Sequence, residues 1–230
     1  MERWFRKRYE SKLEEYWGPG CIAILLRGDI WTIRYPFILA AETGADLIFH
    51  TGSAADLSSV KKQQAEHLAV NICEAVEGLP AALASALTTP EQQLLLEDFM
   101  RGWKALMELE SHSAERLMRS AAGSLADAVF NLTSEAPNWG FSKWASLQVV
   151  EKALKGYLER KGAGFDRIHD LGKLAAAATT AGLPGLSPNL LAAVQCPAGV
   201  RYGEITVSRD EALAAHRASL ELIQVIAPAP

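Results

Sequence analysis

This 230-residue sequence predicts a mainly α-helical fold, a helical bundle preceded by a small N-terminal β-hairpin or meander, α+β overall. Three observations carry that expectation. Residues 21–35 hold two β-branched and aromatic runs around a glycine. From residue 56 apolar residues recur at three-to-four spacing, and helix start and stop signals punctuate the chain to its end.

Taken in order, residues 2–17 carry Trp4, Phe5, Tyr9, Leu13 and Tyr16 or Trp17 at helical spacing, with Gly18-Pro19-Gly20 as the stop. Cys21–Leu26 and Ile30–Tyr35 flank Arg27-Gly28-Asp29, whose glycine suits a tight reversal, and Leu47–His50 reads as a third strand or a buried connector. Asp56 or Ser58 can cap a helix through Ala65, Leu68, Ile72 and Val76, ended by Gly78-Leu79-Pro80. Thr89-Pro90-Glu91 opens the next helix, with Leu95, Phe99, Trp103, Leu106 and Met107 as its stripe. After Ser111-His112-Ser113 a third helix carries Leu117, Ala121, Leu125, Ala128, Val129 and Leu132.

Pro137-Asn138-Trp139-Gly140 is the following break. A fourth helix over Ser142 to about Lys161 places Leu147, Val150, Leu154, Tyr157 and Leu158 on one face and a Glu151/Lys155 pair on the other. Gly162-Ala163-Gly164 ends it. Asp166 precedes a short helix through Leu171, Leu174 and Ala178, a further turn or brief helix spans Pro188–Val194, and Ser208-Arg209-Asp210-Glu211 is a capping-box signature for the last helix. The expected organisation is a β-containing segment over 1–55, two linking helices over 56–112 and a helical bundle over 113–227.

Composition narrows the function classes. Apolar residues make up 49% and charged residues 22%, a mix that folds rather than stays disordered. A net charge of -4 argues against a surface that coats nucleic acid, so any such site must be local. Cys21, Cys73 and Cys196 are isolated, and His50, His67 and His112 fall in different segments, so neither a disulfide framework nor a zinc site is expected. No phosphate-loop, dinucleotide-binding, HExxH or GxSxG pattern occurs, and no cofactor is expected. The charged N-terminus lacks an apolar segment after it, and no apolar run reaches the roughly 18 residues that span a bilayer; no membrane contact and a cytoplasmic location are expected.

The second half carries a family resemblance. Trp144-Ala145-Ser146-Leu147-Gln148-Val149-Val150-Glu151-Lys152-Ala153-Leu154-Lys155, then a glycine loop, then Ile168-His169-Asp170-Leu171, then Val200-Arg201-Tyr202 ahead of a long last helix, is similar in order and spacing to the HEPN domain. The resemblance covers about residues 113–227, and residues 1–112 resemble no family. It implies a helical bundle, often homodimeric, from prokaryotic toxin–antitoxin and phage-defence settings. Catalytic members are metal-independent endoribonucleases that use an Arg, four to six residues, then a His. Arg209 and His216 fit that spacing, with Asp210 as the polar residue after the Arg.

Seven positions are nearly two helical turns, so Arg209 and His216 share a face. A histidine near neutral pKa can move a 2′-hydroxyl proton while arginine holds the phosphate. With 13 arginines and five histidines, however, about one such spacing arises by chance, and His216 between Leu213 and Leu220 also suits a packing role. A second candidate is a binding face for RNA or nucleotide. Residues 141–175 hold seven basic side chains, among them Lys152, Lys155 and Arg167, against four acidic ones. His169 is a nucleotide contact or the lock of a local turn, and Tyr202 a stacking group. The functional expectation is an accessory or defence-related, homodimeric protein that binds RNA or nucleotide, with metal-independent endoribonuclease activity open. The alternative is a non-catalytic scaffold whose N-terminal half meets a protein partner.

Overall fold

The computed structural model describes residues 17–36, 46–51, 67–165 and 169–228. The helix expected over residues 2–17 lies outside these except for Trp17, which opens a strand instead. Strand β1 (Trp17–Leu26) takes in Gly18-Pro19-Gly20, so that triplet is strand rather than a helix stop. Its partner β2 (Asp29–Pro36) follows after the two residues Arg27 and Gly28, whose φ values of 51° and 87° are the left-handed pair that a two-residue hairpin turn requires.

A second pair of strands was only half expected. Strand β3 (Asp46–His50) runs parallel to β4 (His67–Asn71), with Asp46 opposite His67 and His50 opposite Asn71. The helix expected from residue 56 to 76 is corrected here. Residues 67–71 are strand, and among the described residues of that span the helix is α1 (Ile72–Ala75), capped by the Asn71 side chain on the Cys73 amide. The start of that expected helix lies outside the described residues. His-Leu-Ala-Val-Asn is short enough to satisfy either period, and a parallel partner 21 residues earlier decided between them.

The remaining helices include a short one over Ala81–Ser85 that was not expected, and the later ones follow the punctuation closely. They are α2 (Ala81–Ser85), α3 (Thr89–Ser111), α4 (Arg116–Thr133), α5 (Trp139–Arg160), α6 (Leu171–Thr180), α7 (Pro188–Val194) and α8 (Arg209–Ile226), with a 3₁₀ turn over Ala198–Val200. Asn138 accepts the Phe141 amide and so starts α5 three residues earlier than Ser142. Asp170 caps α6 by accepting the Lys173 amide at 3.0 Å. The capping box at Ser208 and Glu211 forms as expected. No helix among the described residues is long and apolar enough to cross a membrane.

The chain divides into two compact units, Met1–Gly20 with Ile33–Phe99, and Cys21–Thr32 with Met100–Pro230. In the first, Ile33 bridges Val76 antiparallel, and Tyr35 donates its hydroxyl to the Phe99 carbonyl at 2.7 Å with the two rings 4.7 Å apart. Ile72, Val76, Leu87 and Leu95 are buried with them. Arg34 and Glu77 pair at its surface.

In the second unit, α4 and α5 form the most extensive helix pair, with α8 packed on α5 and α7 beside α8. Every stripe residue expected on α4, from Leu117 to Leu132, is buried, as are Leu147, Val150, Leu154, Tyr157 and Leu158 on α5. Burial of this apolar area at roughly 25 cal/mol per Å² is what holds the helices together. Gly156 keeps the α4–α5 contact close, because a methyl there would lie 3.3 Å from the Met118 sulfur. Ile22, Ala23, Ile24 and Leu26 of β1 are also buried.

Candidate functional site

The residues that carried the resemblance converge on one buried carboxylate. On α5, Gln148, Glu151 and Lys155 are spaced three and four apart, which sets them on one face. Glu151 is 4% exposed. Its Oε1 accepts the Lys155 ammonium at 2.7 Å, and its Oε2 accepts the Gln148 amide at 2.8 Å. The third partner arrives eighteen residues later, where His169 Nδ1 lies 2.7 Å from the same Oε2.

Glu151 thus gathers three side chains on one carboxyl group, with His169 Nδ1 as the donor in its contact. The second ring nitrogen, Nε2, is left out of that contact. The ring is held a second time by Trp144, tilted at 58° with centroids 5.4 Å apart. Lys155 is also fixed from above by the Phe165 ring, 5.6 Å from its nitrogen. The Glu151/Lys155 pair is thus an interior device, whereas its spacing had suggested an outward-facing surface pair. Contacts with Gln148, His169 and Phe165 make the difference.

His169 itself is 58% exposed in its side chain and looks onto a cleft of about 470 Å³. Asp170, Gln195, Cys196, Pro197 and Ala198 complete the lining. Gln195 ties the two walls together: its Oε1 accepts the Leu171 amide at 2.8 Å, and its Nε2 reaches the carbonyls of His169 and Cys196, both at 3.3 Å. Burial pushes the Cys196 thiol up to about 11, so at neutral pH it is neither thiolate nor nucleophile. Beyond Ala198 the 3₁₀ turn leads to Arg201, whose guanidinium lies 5.6 Å from the centre of the Tyr202 ring; that tyrosine is 69% exposed.

The other expected binding residues are occupied within the fold. Lys152 donates to the Ser124 hydroxyl at 2.7 Å and the Ser120 carbonyl at 3.2 Å, and burial lowers its pKa. Arg160 reaches Glu115 and the carbonyls of Ile226 and Ala227. Arg167 lies outside the described residues. The basic stretch over 141–175 is in large part internal wiring.

Arg209 and His216 both face the β1–β2 hairpin. Arg209, exposed in the first turn of α8, donates Nη1 to the Gly28 carbonyl at 2.8 Å and Nε to Asp210 at 3.3 Å. His216 is fully buried, and its Nε2 accepts the Ala23 backbone amide at 3.1 Å. Burial, with Arg217 beside it, pushes the His216 pKa down to about 3. A neutral imidazole whose lone pair is already taken has nothing left to accept a substrate proton.

Sequence reasoning named His169 but passed over Glu151, Gln148, Asp170 and Gln195. The 148/151/155 spacing was the available signal. No group of His, Cys, Asp and Glu able to hold a metal occurs among the described residues. In comparison with known proteins, residues 114–227 match the family model described as the HEPN domain. No curated protein and no solved structure matches the chain at a significant level.

Proposed function

The C-terminal half of the chain belongs to the HEPN domain family, and from that premise we propose that this protein binds RNA or a nucleotide through the cleft beside His169. At family level the assignment carries RNA-related or nuclease-like function. The narrower reading is supported by one observation above the others, an exposed imidazole locked through Nδ1 to a buried carboxylate, with its second nitrogen left to an open cleft. A group so fixed meets a ligand at small entropic cost. Tyr202, with Arg201 against its ring, adds a platform for a base at the end of the same segment.

Lys155 enters this proposal as a positioning residue, since its ammonium serves Glu151, whereas Lys152 serves Ser124 on α4 and lies outside the site. Arg209 and His216 enter it as the clasp between α8 and the hairpin. Cleavage by that pair would require β1 to leave α8. Homodimerisation and an accessory, defence-related role belong to the same proposal through the family.

The test is fluorescence anisotropy of a labelled single-stranded RNA pool over a salt series. His169→Ala and Tyr202→Ala should each weaken binding about fivefold or more, the loss of one stacked or hydrogen-bonded group. Lys152→Gln should leave the affinity within about twofold. Equal binding by wild type and both cleft variants overturns the site and favours the protein-interaction reading.

A further inference from the structure

We infer that Lys152, whose ε-amine is held between two uncharged oxygens where α5 meets α4, is an acylation site that takes acyl groups from thioesters. Lys152 lies outside the cleft, so the inference stands apart from the binding proposal. It begins with what each lysine faces.

Lys143, Lys155 and Lys173 face the carboxylates of Glu211, Glu151 and Asp170. Such a partner stabilises the ammonium form and withholds the lone pair that a nucleophile needs. Lys152 makes no ion pair of this kind among the described residues. Its Nζ lies 2.7 Å from the Ser124 hydroxyl and 3.2 Å from the Ser120 carbonyl, both on α4. A free amine can donate one N–H to each oxygen and keep its lone pair for the remaining tetrahedral direction. Partial burial adds to this. It lowers the Lys152 pKa even though the Glu151 and Asp127 carboxylates pull the other way, the first of them shared with the Lys155 ammonium.

The approach is open. Ser120 and Gly123 are exposed on the α4 face that carries Ser124, and a methyl on Gly123 would meet nothing within 4 Å. Asp127 on the same face disfavours an anionic acyl phosphate, which leaves an uncharged thioester as the donor. In the reaction the Nζ lone pair attacks the thioester carbonyl carbon, so that a C–N bond forms and the C–S bond breaks. The departing thiolate takes the proton that the nitrogen loses, and the products are an amide and a thiol. The amide keeps one N–H where the amine had two, and so loses one of the two bonds to α4.

The full-length protein would be incubated at neutral pH with S-acetyl-N-acetylcysteamine, an uncharged thioester. Acetylation of each lysine would be followed over time by mass spectrometry of proteolytic peptides. Lys152 should react at least about threefold faster than the exposed Lys104, as a larger share of free amine requires. Ser120→Asp, at an exposed position whose carbonyl already touches the amine, supplies a carboxylate. It should bring Lys152 down to the Lys104 rate and leave Lys104 unchanged. The lead should also vanish at about pH 11, above the ordinary lysine value, where both amines are free. Lys152 labelled no faster than Lys104 at neutral pH overturns the inference, as does a lead that survives Ser120→Asp or the high pH. Acetyl phosphate at the same concentration should give Lys152 a smaller lead, and a larger one overturns the thioester assignment.

Discussion

The imidazole of His216, in the middle of the last helix, accepts the backbone N–H of Ala23 at 3.1 Å and so joins α8 to the first strand of the hairpin 193 residues earlier. The acceptor is Nε2, which places the ring proton on Nδ1, a buried atom with no hydrogen-bond partner among the described residues. An imidazole in this state is a structural connector. His216→Ala removes the ring and strands a buried amide, and the two losses together should lower stability by about 2–4 kcal/mol. Urea unfolding followed by circular dichroism would measure it, and a change below about 0.5 kcal/mol would refute the connecting role.

The same residue sets an acid sensitivity. Its pKa is about 3 in the folded chain against an ordinary 6.5, so between those values the unfolded chain binds a proton that the folded chain refuses. The contribution is fully present above pH 6.5 and is lost as pH falls toward 3, by up to about 1.4 kcal/mol per pH unit. His216→Gln keeps an acceptor for Ala23 but does not titrate. Its unfolding free energy should therefore fall less steeply over that window than the wild type's, and parallel pH profiles would refute the assignment.

Glu151 neutralises Lys155 in the interior, where the lysine side chain is only 11% exposed. Glu151→Ala removes the carboxylate from that ammonium and should cost about 3 kcal/mol, whereas His169→Ala, at the exposed end of the same contact, should cost less than about 1 kcal/mol. Chemical denaturation of the two variants side by side would check the contrast, and equal losses would place the stabilising partner elsewhere.

Gly140 sits where α5 begins against the 3₁₀ turn, and a methyl group there would come within 2.8 Å of the Val200 carbonyl oxygen. Since backbone cannot swing aside as a flexible side chain would, Gly140→Ala should destabilise by about 1–3 kcal/mol despite the better helix propensity of alanine. A midpoint equal to or above the wild type's would show that the turn gives way freely.

For catalysis the decisive assay is incubation of a mixed single-stranded RNA pool with the protein in EDTA, beside Arg209→Ala and His216→Ala. With the His216 lone pair given to Ala23 and the Arg209 guanidinium on Gly28, no cleavage that depends on both residues is expected. Cleavage abolished by both substitutions in folded variants would mean that the hairpin leaves α8 during the reaction.

What the sequence by itself determined is the part of the structure governed by neighbours a few residues apart. The tight reversal within Arg27-Gly28-Asp29, the capping box at Ser208, the apolar stripes of α4 and α5 and the order of motifs that marks the family all depend on contacts within a turn or two. Those contacts are present in any fragment that contains the residues. Tertiary structure decided whatever needed a remote partner. It made residues 67–71 a strand, because β3 offered a parallel edge, and it turned Glu151 and Lys155 into the buried support of His169. It also closed the hairpin over His216, which the helical spacing alone left equally suited to proton transfer and to packing. The physical reason is common to all of these: whether a polar side chain meets solvent or a partner sets its charge and its free lone pairs, and that environment is assembled from residues far apart in the chain.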